Sequence, residues 1–112
     1  MEMTTEELDK GVTKINLNGR LDVAAAGQIE TRFSAIVGAR RAVIVDLSQL
    51  TFLASMGMRM LLIGAKTVAS KGGKMALLAP TSEVKTVLQT ARIDSLIPIY
   101  DQRDAALAGV GA

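Results

Sequence analysis

Few side chains of this sequence are suited to chemistry. The chain has neither cysteine nor histidine among its 112 residues. It therefore lacks the groups of a disulfide framework, of a thiolate or imidazole zinc site, and of a Ser-His or Cys-His nucleophile. Carboxylates, lysines and hydroxyl groups remain as candidates for functional side chains.

The carboxylates form no catalytic constellation in the sequence. Asp22 and Asp46 each follow a predicted strand and are expected at the same crevice, but helix capping and turn formation account for both. A catalytic base would have to be one of these two residues or a lysine, without a recognisable set of partners. We therefore expect no enzymatic activity, and the sequence predicts no metal site and no cofactor.

Two segments contain fragments of a phosphate-binding loop. The first, Gly72-Gly73-Lys74, is followed by Met75 where that motif needs Ser or Thr. The second, residues 64–67 (GAKT), lies inside a helical pattern. Neither follows the order of strand, glycine loop and helix that binds a nucleotide, so we do not predict nucleotide binding.

Ser55 is the most informative hydroxyl, because it lies at the start of a predicted helix that follows a buried strand and a short loop. One interpretation is a helix N-cap, which satisfies a free backbone N–H group. The other is a phosphoacceptor, since a helix N-terminus also stabilises a phosphate. A phosphate here would add close to two negative charges beside Met56 and Met58, which we expect to be an apolar docking patch.

Three motifs resemble those of the STAS domain, a family named for sulfate transporters and anti-sigma-factor antagonists. Residues 17–22 (LNGRLD) resemble its L-x-G-x-L-D turn, and residues 43–48 (VIVDLS) resemble its V-x-x-D-L-S strand. Residues 52–57 (FLASMG) resemble its F-[LMI]-D-[ST]-[ST]-G switch. Within the family, the chain is similar to the stand-alone bacterial anti-sigma-factor antagonists.

The resemblance implies a partner-switching regulator with Ser55 as its phosphoacceptor. The unphosphorylated form would bind an anti-sigma factor that is itself a serine kinase of the GHKL type, and so release a sigma factor. Phosphorylation of Ser55 would abolish this binding, and a PP2C-type phosphatase would restore it. The expected docking face consists of Asp22, Ser55, Met56, Gly57, Met58 and Arg59.

Two residues depart from the family's switch motif. Ala54 replaces its Asp, and Met56 replaces its second Ser or Thr. These departures keep open an alternative, also based on the resemblance. In this alternative the chain is a subunit that stabilises an ABC ATPase in a lipid-transport complex and is not phosphorylated.

Composition bears on partners and location. The formal net charge is +2, the basic residues are scattered, and only Phe33, Phe52 and Tyr100 are aromatic, so we do not expect nucleic-acid binding. The longest apolar stretch is too short to span a bilayer, and the N-terminus is acidic and polar, unlike a signal peptide. We therefore predict a cytoplasmic protein that does not insert into a membrane.

The elements that must position Ser55 follow the pattern β-β-α-β-α-β-α-β-α. This pattern predicts one α/β domain over residues 1–112, with a frayed tail at 109–112. The sheet should have five mostly parallel strands, the first antiparallel, packed with four helices. Residues 47–54 are interpreted as a loop. Asp22, Thr81 and Asp101 are predicted to cap helices.

Overall fold

After an initial hairpin, the chain alternates strands and helices. The computed structural model describes residues 1–111, and within them the chain forms six strands and four α-helices. In chain order these are β1 (Glu2–Glu7), β2 (Thr13–Leu21), α1 (Val23–Ala39), β3 (Ala42–Asp46), β4 (Leu50–Leu53), α2 (Ser55–Ser70), β5 (Lys74–Leu78), α3 (Ser82–Thr90), β6 (Ile99–Tyr100) and α4 (Arg103–Gly109).

All strands belong to one mixed sheet. Its main order is β1-β2-β3-β5-β6, and β4 pairs with β2. The β1–β2 pair is antiparallel, whereas every other strand pair within residues 1–111 is parallel. The predicted fold class is therefore confirmed, including the antiparallel first strand and the four helices.

The predicted loop at residues 47–54 is wrong in part, because Leu50–Leu53 form β4 and raise the strand count from five to six. The two end residues of β4 are buried and the two middle residues are exposed, so the segment lacks the alternation that indicates a strand. Its pairing with β2 makes it a strand. A local sequence pattern does not predict a pairing between segments that are distant in sequence.

Two cores lie on the two faces of the sheet. Val43 and Val45 belong to the larger core, together with residues of α1, α2 and α3, whereas Ile44 belongs to a smaller core with Ala106 of α4. This arrangement explains why β3 has three consecutive buried residues: both of its faces are covered. Strands β3 and β5 lie in the interior of the sheet, each with a strand on both sides.

The C-terminal segment differs from the prediction at one position. Asp101 does not cap α4, because the capping position is Gln102 and no side chain within residues 1–111 caps this helix. Asp101 instead lies 3.5 Å from the Nζ atom of Lys85. In the segment expected to fray, Gly109 ends α4 and Val110 is buried in the smaller core, while Ala112 lies outside the described residues.

Candidate functional site

Strands β2 and β4 end side by side, and each leads directly into a helix. Leu21 and Leu53 are paired across the two strands. Asp22 then precedes α1, and Ala54 precedes α2. The N–H group of Ala54 donates a hydrogen bond of 2.9 Å to the carbonyl oxygen of Leu21. Two helix N-termini are thereby held next to each other at one edge of the sheet.

The N-terminus of α1 is capped. The carboxylate of Asp22 accepts a hydrogen bond of 2.8 Å from the N–H group of Ala25. The Asp22 backbone is extended, and its carbonyl oxygen accepts a hydrogen bond from the N–H group of Ala26. The predicted capping role of Asp22 is therefore confirmed, and its carboxylate is half-buried at the same edge of the sheet as Ser55.

The N-terminus of α2 is uncapped. Its capping position is occupied by Ala54, and no side chain within residues 1–111 caps it. Ser55 is the first helical residue, so the N-cap interpretation of Ser55 is wrong by one position. The Ser55 side chain is exposed. Unlike the hydroxyls of Ser70 and Ser95, its hydroxyl has no hydrogen-bond partner among residues 1–111.

The residues after Ser55 differ in exposure. Met56 is 45% exposed and Arg59 is exposed, so both side chains lie at the surface. Met58 is half-buried and packs against the larger core. The structure thus brings Ser55, Met56 and Arg59 together on the surface, whereas Met58 is turned largely toward the interior.

Gly57 is buried beneath this surface. A Cβ atom added at Gly57 would lie 2.8 Å from the Cγ and Cδ2 atoms of Leu21 and 2.9 Å from the Cδ1 atom of Leu53. Real Cβ atoms essentially never approach other atoms this closely. The missing side chain therefore allows the first turn of α2 to rest on the ends of β2 and β4, which positions Ser55.

A groove between α1 and α2 begins beside this turn. It has a volume of about 260 Å³ and is lined by Ala26, Glu30, Met56, Arg59, Met60 and Ile63; we call it the α1–α2 groove. Ile63 is 48% exposed and adds apolar surface to the groove. Glu30 and Arg59 form no salt bridge with each other within residues 1–111.

Sequence reasoning did not identify Glu30 and Ile63. A signal for Ile63 was present, because it follows Arg59 by four residues and Met56 by seven, which places all three on one side of α2. Glu30 had no such signal. It joins the groove only because α1 packs against α2, where a Cβ atom at Gly64 would lie 2.7 Å from the ring of Phe33.

The second predicted carboxylate, Asp46, serves the turn after β3. Its carboxylate accepts a hydrogen bond of 2.9 Å from the N–H group of Ser48 and lies 3.2 Å from the Nζ atom of Lys14. Burial alone would raise the pKa of Asp46, but the hydrogen bonds from Ser48 and the charge of Lys14 outweigh it and hold this pKa below its usual range. Asp46 is thus a turn residue with a stabilised charge.

Two further findings concern the kinds of site present. No group of three or more acidic side chains within residues 1–111 is arranged to hold a metal ion. In the same part of the chain, no helix has both the length and the apolar character needed to cross a bilayer.

Comparison with known proteins agrees with this fold. The family model described as the STAS domain matches residues 4–106, and the chain belongs to this family. One relative is BtrV of Bordetella bronchiseptica, named as an anti-sigma factor antagonist. It is 32% identical over 110 residues, which are 96% of this chain and 93% of BtrV.

Two solved structures show the same fold. The first is an anti-sigma factor antagonist of Mycobacterium paratuberculosis, which is 25% identical, has a TM-score of 0.88, and aligns over 99% of this chain and 94% of its own. The second is the Bacillus cell fate determinant SpoIIAA in its phosphorylated form. It is 24% identical, has a TM-score of 0.71, and aligns over 93% of this chain and 96% of its own.

Proposed function

We propose that this protein is an anti-sigma factor antagonist that changes partners when Ser55 is phosphorylated. The observation that carries the proposal is the exposed hydroxyl of Ser55 at the first position of α2, beside exposed Met56, with no hydrogen-bond partner in the described part of the chain. The names of BtrV and of the mycobacterial structure support the general function. SpoIIAA, which shares the fold, has been solved in a phosphorylated form.

The proposed partner is an anti-sigma factor that is also a serine kinase of the GHKL type. It transfers the γ-phosphoryl group of ATP to the Oγ atom of Ser55. The bond between that group and the β-phosphate breaks, the hydroxyl proton passes to a base on the kinase, and ADP is released. A PP2C-type phosphatase then hydrolyses the phosphate ester with water, which returns Ser55 and inorganic phosphate.

The switch works by charge and needs no change of fold. In the unphosphorylated state, the partner buries Met56 and contacts Arg59 and the half-buried Asp22, while Gly57 and Met58 support this surface from below. A phosphate adds close to two negative charges at the centre of the interface. Burying a charge without a partner costs several kcal/mol, and each 1.4 kcal/mol weakens binding about tenfold.

Ala54 tunes this switch. The family motif has Asp at this position, where a carboxylate would cap α2 and lie close to the phosphate. Ala54 supplies neither the cap nor the negative charge. In this chain a phosphate on Ser55 is therefore not repelled by a carboxylate at position 54. The N–H groups of the first turn of α2 also remain available to the phosphate.

The proposal is tested by titrating the cognate anti-sigma factor with variants of Ser55. We expect Ser55→Ala to bind permanently and Ser55→Asp to lose binding. The matched control is Ser82→Asp, because Ser82 is also an exposed first residue of a helix that follows a parallel strand. Ser82→Asp should bind like the wild type. Equal affinities of Ser55→Ala and Ser55→Asp would contradict the proposal.

The second candidate function is that of a subunit that stabilises an ABC ATPase in a lipid-transport complex. The replacement of two motif residues by Ala54 and Met56 favours it, because such a subunit needs no phosphorylation. Copurification separates the two candidates. A GHKL-type kinase is expected with the first function and an ABC ATPase with the second.

A further inference from the structure

We infer that Arg59 binds the phosphate of phosphorylated Ser55 within the same chain, and that this contact withdraws Arg59 from the docking surface. The inference rests on the proposed phosphorylation of Ser55. It assigns Arg59 two roles, one in each state of the switch. In the unphosphorylated state Arg59 faces the partner, and in the phosphorylated state it neutralises part of the phosphate charge.

The spacing on α2 supports this contact. Arg59 follows Ser55 by four residues in the same helix, and side chains at this spacing are neighbours on a helix surface. Both side chains are exposed. An arginine guanidinium can also donate two parallel hydrogen bonds to one phosphate, which a lysine cannot do.

Arg59 is also available for a new partner. Within residues 1–111 its guanidinium takes part in no salt bridge and donates no hydrogen bond, in contrast to Arg32 and Arg40. No carboxylate of its own helix competes for it, since residues 55–70 contain neither Asp nor Glu. The absence of Asp at position 54 removes a further competitor.

Glu30 lies on the opposite wall of the α1–α2 groove from Arg59 and is the one carboxylate that lines this groove among residues 1–111. It carries one negative charge, whereas a phosphate carries close to two at neutral pH. Phosphorylation should therefore draw Arg59 toward Ser55 and away from Glu30. The charge pattern of the groove then changes together with the charge at Ser55, so a partner that pairs with Arg59 loses that contact as well.

The test uses the full chain with phosphoserine incorporated at position 55 by genetic encoding. The second ionisation of this phosphate is followed by ³¹P NMR as a function of pH at low salt. A free phosphoserine has a second pKa of about 6, and a bound guanidinium lowers this pKa because it favours the dianion. We expect this pKa to be about half a unit lower in the wild type than in Arg59→Ala.

Three further variants distinguish a specific contact from general charge. Arg59→Lys should lower the second pKa of the phosphate by less than the wild-type arginine does, since lysine keeps the charge and loses the paired hydrogen bonds. Glu30→Gln should lower the phosphate pKa further, because it removes the competing carboxylate. Lys66→Ala should leave the pKa unchanged, since Lys66 is an exposed cation of the same helix about three turns away.

The inference is overturned if the phosphate has the same pKa in the wild type and in Arg59→Ala. It is also overturned if the difference between them persists undiminished at ~1 M salt, since a contact between exposed charges is screened there. This result does not depend on any kinase, because the phosphate is installed during synthesis. Failure of the proposed function would instead appear in the binding titration of the Ser55 variants.

Discussion

The N-termini of α1 and α2 occupy equivalent places in the fold but differ in how they are stabilised. Both helices follow paired parallel strands, and both begin within two residues of the pair Leu21 and Leu53. Asp22 caps α1 with its carboxylate, whereas Ala54 leaves α2 without a cap. The start of α1 is capped by a side chain of the chain itself, whereas the start of α2, at Ser55, has no side-chain cap within residues 1–111. We call the start of α2 the open helix start.

This difference separates a structural site at α1 from the proposed regulatory site at α2. At α1 the free N–H group of Ala25 is satisfied by Asp22, so the site has little capacity for another anion. At α2 the exposed hydroxyl of Ser55 lies one helical turn from the guanidinium of Arg59, which has no partner within residues 1–111. A third helix start, that of α3, is capped by Thr81 and resembles α1. The open start of α2 is therefore the exception among these three.

The largest expected effect is at Gly57, on which the placement of the open helix start depends. In Gly57→Ala the new methyl group would collide with buried Leu21 and Leu53. Overpacking of this kind costs about 1–3 kcal/mol, so the free energy of unfolding should fall by about 2 kcal/mol in urea denaturation.

Gly27→Ala is the control for this variant, because Gly27 lies in α1 and a Cβ atom there meets nothing within 4 Å. It should raise the stability by up to about 1 kcal/mol through helix propensity. If both variants had the same stability, Gly57 would not position the start of α2.

Removing the cap of α1 should give the next largest effect. Asp22→Ala leaves the N–H group of Ala25 without its partner, which should cost about 1 kcal/mol in the free energy of unfolding. Asp22→Asn retains an accepting oxygen and should lose less than half as much. An Asp22→Ala protein as stable as the wild type would show that the two helix starts do not differ in the way described.

Adding a cap to α2 should give a gain of similar or smaller size. Ala54→Asp introduces a carboxylate at an extended capping position, so the protein should become more stable by about 0.5–1 kcal/mol. The same residue would place a negative charge next to a phosphate on Ser55. The phosphoserine-55 protein should therefore gain less from Ala54→Asp than the unmodified protein does, as thermal unfolding of the four forms would show.

The smallest expected effect is at the turn after β3. There the carboxylate of Asp46 accepts a hydrogen bond from the N–H group of Ser48, just as the carboxylate of Asp22 accepts one from the N–H group of Ala25. The pKa of Asp46 is lowered in the folded protein, so its stabilisation is present above the unfolded pKa of about 3.9 and is lost as the pH falls through the lower native value. Asp46→Asn should cost about 0.5 kcal/mol at neutral pH. The difference from the wild type should vanish in acid; a difference that grew toward acid would contradict the assignment.

Local patterns predicted much of the fold. The apolar run of β3 and the caps of α1 and α3 each depend on a few neighbouring residues, and each is confirmed. The missed strand β4 depends on pairing with β2, which lies distant in sequence. The cap of α4 was predicted one residue too early, because the helix begins after Gln102 and not after Asp101.

The candidate site was predictable to a similar extent. The resemblance of residues 52–57 to a known switch indicated Ser55, and the structure places its hydroxyl at the surface. The burial of Gly57 was not predictable, because it requires the packing of α2 on two strand ends. The α1–α2 groove was also missed, since Glu30 and Ile63 belong to different helices and meet only in the folded chain.

The central claim, that Ser55 is the phosphoacceptor of this chain, is tested most directly by a phosphorylation reaction. The purified protein is incubated with ATP and its cognate anti-sigma factor, and the phosphorylated residues are located by tandem mass spectrometry. We predict one phosphate per chain, on Ser55, with Ser82 unmodified and no phosphorylation of Ser55→Ala. A chain that stays unmodified, or that is phosphorylated at another residue in both proteins, would contradict the account.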